Sequence, residues 1–389
     1  MRTVLLIPSV AKTELRGAIA ADQHPRMDYD ALAEALSAGA DERVELLDYA
    51  AVDRERHPLV RAAHRLAGRD AALAALGFVK GRQCDAIFTN GENVGIPLAL
   101  LLKATSHRAR HVTIGHRLSA GKKRAFFRGL QVHRQMDRIF VYATTQHEHA
   151  RRRLGIPAGK LARIAFHADD RFYRPCPTVP VDENQICSAG LEWRDYPTLI
   201  EAVADLPDLK VRLAAASPWS KHRDETAGRI LPSNVDARRY DYQALRDLYA
   251  RSAFVVVPLY ENDFQAGVTT ILEAMAMGKA IIATRTTGQS DVIVSGENGI
   301  LVAAGDARAL QHAVLRLRDD RPLRERLGRN ARCWVEENGT LGGWVQQIAC
   351  ALRGGAARQS DRMRGLHAAS DHHSNRSRMR SQPNSDVPS

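Results

Sequence analysis

Hydrophobic positions along this 389-residue chain follow two periods that take turns. Short apolar runs at residues 3–7, 44–47, 84–89, 112–114, 138–142 and 161–166 read as strands. Between them, helical spacing covers 29–37, 59–79, 96–104, 122–136 and 146–154, with a break expected near Gly68. Strands and helices that alternate in this way predict a parallel sheet covered on both faces, a doubly wound α/β domain. No GxGxxG follows the first strand, so the dinucleotide fingerprint is absent. Residues 169–183 hold Pro175, Pro177 and Pro180 close together and read as a linker. A second α/β series follows, with strands at 185–189, 211–216, 235–240, 253–259 and 280–283 and helices at 197–206 and 243–251. Asp306 is placed to cap a helix bearing Leu310, Ala313, Val314 and Leu317, and further helices are expected at 322–337 and 341–352.

The second series is organised around residues 252–306. A nearly all-apolar strand at 253–259 leads into a polar loop with Asn262, Asp263, Phe264, Gln265 and Ala266, which ends at Gly267. Val268, Ile271, Leu272 and Met275 then mark a helix that Gly278 stops in the manner of a C′ residue. Such a loop lies at the carboxyl end of a strand and the amino end of a helix, where open α/β sheets bind ligands and free N–H groups favour phosphate. Glu273 is the only charged residue between Phe264 and Lys279, on a helix apolar on nearly all sides. A buried carboxylate needs hydrogen-bond donors. It either accepts from the ribose hydroxyls of a nucleotide, or it points to solvent or a neighbouring loop.

These residues resemble the donor site of the retaining family-four glycosyltransferases (glycosyl transferases group 1), which have the GT-B fold. Glu273-Ala274-Met275-Ala276-Met277-Gly278-Lys279 matches the second half of the family's Glu-x7-Glu motif, and Gln265 stands in the position of the first Glu. Gly267 stands one place earlier than the family's usual glycine. Gly288-Gln289-Ser290-Asp291 resembles the family's "Gly-Gly-x-Pro-Glu" turn, and 296–302 with Gly305-Asp306 its "Gly-x-Asn-Gly-x-Leu-Val…Gly-Asp" segment. Asp169, Tyr173 and Pro175 match an interdomain "Asp-x-x-x-Phe-x-Pro". Arg194 falls on the position of one of two diphosphate-holding cations, and Leu191 on that of the other.

The resemblance implies two Rossmann-like domains facing across a cleft: residues 1–168 on the acceptor side, a linker at 169–183, a nucleotide-sugar domain at 184–340 and a crossover helix at 341–353. It also implies His116, Arg194 and Gln265 as catalytic residues, and a donor cradle of Phe264, Ala266, Gly267, Val268 and Glu273. Neither metal nor cofactor is expected beyond the nucleotide sugar as co-substrate. Bland readings stand beside these. His116 could bond a backbone carbonyl, Arg194 could pair at the surface with Asp195 or Glu192, and Asn90, at the start of Asn90-Gly91-Glu92-Asn93, could cap a helix instead of lining the cleft.

A net charge of +12 and a pI near 9.8 suggest an anionic partner. Nine Lys or Arg stand between Arg108 and Arg138 against one acid, Asp137. Phe126, Phe127, Leu130 and Val132 interleave with them, so an expected helix there either lies on an anionic membrane, contacts a lipid-linked or glycan acceptor, or buries its apolar side and solvates its basic one. Nucleic acid is the less favoured partner, because no aromatic RNA-reading motif, zinc finger or clear helix-turn-helix is present. Five scattered cysteines without a CxxC pair, no run of ~18 apolar residues and an N-terminus that reads as a strand place the protein in the cytoplasm, with peripheral membrane contact as an option. Residues 354–389, with six Arg, three Asp and almost no bulky apolar side chains, read as a disordered basic tail. The expected function is retaining glycosyl transfer. The alternatives are a GT-B protein that binds nucleotide sugar without turnover, a nucleic-acid-binding protein and a GT-B epimerase.

Overall fold

The computed structural model describes residues 1–105, 109–215, 231–289 and 291–355. The basic tail, apart from Gly354 and Gly355, lies outside the described residues, as does Ser290. Among the described residues no helix is long and apolar enough to cross a membrane.

The first domain is a six-stranded parallel sheet of β1 (Arg2–Leu6), β2 (Arg43–Leu47), β3 (Ala86–Thr89), β4 (Arg110–Gly115), β5 (Arg138–Val141) and β6 (Leu161–Arg163), in the order β2-β1-β3-β4-β5-β6. The second is also parallel: β7 (Asp182–Ala189), β8 (Lys210–Ala214), β9 (Val235–Arg238), β10 (Ser252–Val257), β11 (Ala280–Thr284) and β12 (Ile300–Val302), in the order β12-β11-β10-β7-β8-β9. Counted within its own domain, that second order is 3-2-1-4-5-6 reversed, the Rossmann arrangement. Its order reverses between β7 and β10, where Phe254 registers with Ile186 and Val255 with Cys187. In the first sheet the reversal falls between β1 and β3. Strands such as β10 read as continuous apolar runs because helices bury both faces.

The helix Pro58–Lys80 leaves helical geometry at Gly68, as its sequence suggests (φ 82°). Three local expectations are corrected. Residues 122–136 do not form one helix. They make a π-turn at Ala125–Gly129 and a 3-10 turn at Val132–Gln135, joined through Gln131 at φ 51°. Phe127 and Val132 are both buried in one cluster. Five residues apart on a continuous helix, they would point about 140° away from each other, so the break lets both reach the core. The strand expected at 161–166 ends at Arg163. Beyond Ile164 the chain leaves the sheet, and Ala168 exchanges backbone hydrogen bonds with Gly339 and Leu341. Asn90 does not cap the helix Glu92–Lys103. Gly91, at φ 139°, holds the N-cap position, and the Asn90 side chain donates to Asp28.

The last helix, Leu341–Leu352, returns to the first domain. Leu341, Trp344, Ile348 and Leu352 pack among Leu5, Phe88, Val112 and Phe140, and Arg110 donates to the Leu352 carbonyl at 2.7 Å.

Candidate functional site

The carboxyl ends of β7 and β8, with the start of the helix that follows β10, open onto a cavity of about 560 Å³ between the two domains. From β7 the chain turns through Gly190, whose φ of 94° suits glycine and where a Cβ would stand 2.5 Å from the Arg194 guanidinium. Arg194 is buried, not a surface residue. Its Nε donates to the Ala189 carbonyl at 2.8 Å, Nη1 to the Glu192 carbonyl at 2.9 Å and Nη2 to Thr270 Oγ1 at 3.0 Å. Three of its five N–H groups are therefore committed, two to the turn after β7 and one to the helix Val268–Ala276, and burial lowers its pKa. Neither Asp195 nor Glu192 pairs with it through a carboxylate: Asp195 caps the helix Tyr196–Val203 by accepting from the Thr198 N–H. Leu191 packs against the apolar cluster on that side of the sheet, so no cation stands in its place.

From β10 the loop reaches Gly267, which is left-handed (φ 74°) and packed so closely that a Cβ would lie 3.0 Å from Val257 and 3.1 Å from Arg194. It holds the N-cap position of the helix Val268–Ala276, whose amino end faces the cavity alongside Thr269 and Thr270. One turn further, Glu273 is 8% exposed and accepts from the Tyr249 hydroxyl at 3.1 Å. Tyr173 turns its buried hydroxyl toward the same carboxylate without closing a hydrogen bond. Burial pushes the Glu273 pKa up to about 7, against the pull of the two tyrosines and Arg194. The carboxylate is thus short of donors while it lines the cavity.

A second cavity of about 310 Å³ adjoins the first through Glu192, Gly267 and Thr269. It brings together Phe264, Gln265, Ala266 and Val268 from the second domain with His116, Tyr142 and Phe166 from the first. The Gln265 Oε1 is buried there without a hydrogen-bond partner. Gln289 Nε2 locks the loop by donating to the Ala266 carbonyl at 2.6 Å, and a Cβ at Gly288 would overlap the Phe264 carbonyl. His116 follows β4 and leans on Tyr142 at 5.4 Å. By surface area its ring is exposed, yet the cleft crowds it with protein atoms. That crowding lowers its pKa, opposed by Glu92 and Asp28.

All eight residues named from the sequence therefore border these two joined cavities. Sequence reasoning missed the tyrosine hydroxyls at Glu273, the Gln289 lock and two carboxylates that span the cleft. Asp263 meets Arg117 at 2.9 Å and Ser119 at 3.0 Å, and Asp291 accepts from the Thr144 N–H at 2.9 Å. The sequence marks Asp263 and Asp291 only as members of a polar loop and a turn; nothing in it reveals their partners, because each pairing joins residues more than a hundred positions apart.

Residues 186–320 match the glycosyl transferases group 1 family. An uncharacterized glycosyltransferase of Methanocaldococcus jannaschii is 25% identical over 162 residues, 40% of this chain and 41% of that protein. The chain thus spans about two fifths of that curated relative. Among solved structures, sucrose-phosphate synthase of Thermosynechococcus elongatus superposes with a TM-score of 0.67 at 20% identity, covering 91% of this chain and 98% of that one. HepE of Anabaena, solved in complex with UDP-glucose, superposes with a TM-score of 0.64 at 18% identity, covering 91% and 100%. At these identities the structural likeness speaks for the fold.

Proposed function

Because residues 186–320 match the glycosyl transferases group 1 family and the chain takes the GT-B fold, we propose that this protein moves a sugar from a nucleotide-diphosphate sugar to an acceptor hydroxyl. The observation that carries the reading is the interdomain cavity, where the donor-poor carboxylate of Glu273, the Arg194 guanidinium and the amino end of the helix Val268–Ala276 share one wall. Glu273 accepts from the ribose hydroxyls. The diphosphate sits against the helix start, with Ala266, Gly267 and Val268 as its backbone cradle and the two remaining Arg194 N–H groups beside it. The sugar extends into the smaller cavity, between Gln265 and Phe264 on one side and His116 on the other.

In the transfer step the bond from the anomeric carbon to the diphosphate oxygen breaks and the acceptor oxygen bonds the same face of that carbon. The acceptor proton passes to the departing diphosphate. Retention follows from this same-face arrival. Arg194 and the helix dipole take up the charge that develops on the leaving group, so the step as proposed runs without a metal. HepE was solved with UDP-glucose, which makes a UDP-sugar the first donor to try. The acceptor is a glycan or lipid-linked hydroxyl. The exposed Lys122, Arg124 and Arg128, whose neighbours Phe127 and Val132 are buried, form a basic face suited to an anionic acceptor or membrane surface.

Two observations favour a second reading, donor binding without turnover: Gln265 lacks the carboxylate charge, and Leu191 supplies no second cation. A thermal-shift screen against UDP-, GDP- and dTDP-sugars, followed by nucleotide release with each stabilising donor, separates the two. Ligand bound to the native state raises the melting temperature, so at least one donor is expected to do so and to release nucleotide. Stabilisation without release supports the binder, and no stabilisation by any donor overturns the donor site.

A further inference from the structure

We propose that Glu92 is the positioning residue of this site: it fixes the loop from His116 to Lys123, and through that loop it seats the donor loop at 262–268. The inference rests on the site assignment above.

Glu92 is the first residue of the helix Glu92–Lys103 and is 4% exposed. Its Oε2 accepts from the His116 N–H at 2.8 Å and its Oε1 from the Arg117 N–H at 3.1 Å. Lys123 closes the arrangement with an ion pair to Oε1 and a further bond from its Nζ to the Arg117 carbonyl at 2.7 Å. One buried carboxylate thus binds both ends of an eight-residue loop that has no helix or strand of its own from His116 to Gly121. Gly91, at φ 139°, lets the helix start beside the His116 ring, with Cδ2 3.6 Å from where a Cβ would be.

The same loop carries the contacts that cross the cleft. Arg117 pairs with Asp263 at 2.9 Å and stands over the Phe264 ring at 5.3 Å. Ser119 donates to Asp263 at 3.0 Å. Gln146 accepts from the Leu118 N–H at 2.8 Å and donates to the Asp263 carbonyl at 3.1 Å. Asp263 and Phe264 directly precede Gln265, the side chain whose buried oxygen faces the smaller cavity. A path of hydrogen bonds, one ion pair and the loop's own backbone therefore runs from Glu92 in the first domain to Asp263, two residues before Gln265, in the second. Removing its buried end leaves two N–H groups and an ammonium without their acceptor, and the loop loses the reason for its course. The donor pocket around Glu273 and Arg194 lies outside this chain of contacts.

The test uses the full chain and two variants, Glu92→Ala and Glu92→Gln; the second keeps an oxygen acceptor if the first does not fold. Hydrogen exchange read by mass spectrometry is expected to rise at least about tenfold in both 116–124 and 262–268, at labelling times short enough that the strands of both sheets stay protected. Arg117→Ala is expected to raise exchange at 262–268 while leaving Glu92 in place. With a donor found in the screen, UDP-glucose being the first tried, Glu92→Gln is expected to lower kcat about tenfold with donor KM kept within twofold. Faster exchange at 116–124 alone would overturn the coupling to the donor loop, and no change at either segment would overturn the positioning role. If no donor binds the wild type, the proposed function fails, but the exchange experiment still decides this inference.

Discussion

Glu273, on the wall of the cleft, and Glu92, behind the loop that carries His116, are both buried carboxylates, yet their surroundings drive them in opposite directions. Glu273, in the second domain, meets hydroxyl groups and a partly committed arginine; burial prevails and its pKa rises to about 7. At Glu92, in the first domain, burial also works to raise the pKa, but the charges of His116 and Lys123 and the hydrogen bonds to the carboxylate hold it below the usual range. The first site has acceptor capacity that no protein group fills, the mark of a surface shaped for a ligand. The second is saturated by its own chain, the mark of an anchor. Burial alone would have ranked them together.

The comparison can be broken most sharply by truncation. Glu92→Ala should cost about 3 kcal/mol or more in urea unfolding, because it strands two N–H groups and takes the counter-charge from Lys123. Glu273→Ala should cost far less, since its carboxylate is held at an unfavourable pKa. Equal losses would mean that the two sites are not different in kind.

A pH series sharpens the same point. The folded pKa of Glu273 lies above its ordinary value of 4.5, so the folded state keeps a proton that the unfolded state releases. The resulting stability is full below about 4.5 and is lost as pH rises through about 7, amounting to about 3 kcal/mol for a shift of roughly two and a half pH units. Glu273→Gln should flatten that slope in melting curves of the ligand-free protein. A slope unchanged in the variant would assign it to another group.

Binding comes next in size. Glu273→Ala should weaken nucleotide affinity by about 1.5–3 kcal/mol, read by calorimetry, because charged hydrogen bonds to the ribose hydroxyls are lost. Unchanged affinity in a folded variant would remove the ribose from this carboxylate. The smallest effect belongs to Gln265→Ala: turnover should fall at least ~10-fold, about 1.4 kcal/mol, with nucleotide affinity largely kept. An alanine variant as fast as the wild type would place Gln265 out of reach of the sugar.

What could be read in the sequence divides along the same line. The second domain announces its cavity because strand, loop, helix and the carboxylate lie in one contiguous stretch. Periodicity, Gly267 and the lone charge at Glu273 are all local signals. The two-domain α/β architecture was legible for the same reason, since period and turn chemistry are local. The working contacts of the first domain join Asn90 to Asp28 and Glu92 to Lys123 within it and Thr144 to Asp291 across the cleft, and no local pattern encodes such pairs. The run of basic residues misled for a related reason. Helical spacing of its charges could not reveal that Phe127 and Val132 both had to reach one core, which breaks the helix between them.

The return of the helix Leu341–Leu352 to the first sheet sets an order of events during synthesis. Domains of a nascent chain ordinarily fold in the order in which they emerge. Here the sheet that emerges first lacks Trp344, Ile348 and Leu352, and so keeps an open apolar flank over Phe88 and Val112 while the whole second domain is made. The half translated first is the half completed last. The first domain is completed by one late event, the docking of a twelve-residue helix that is made only after the second domain.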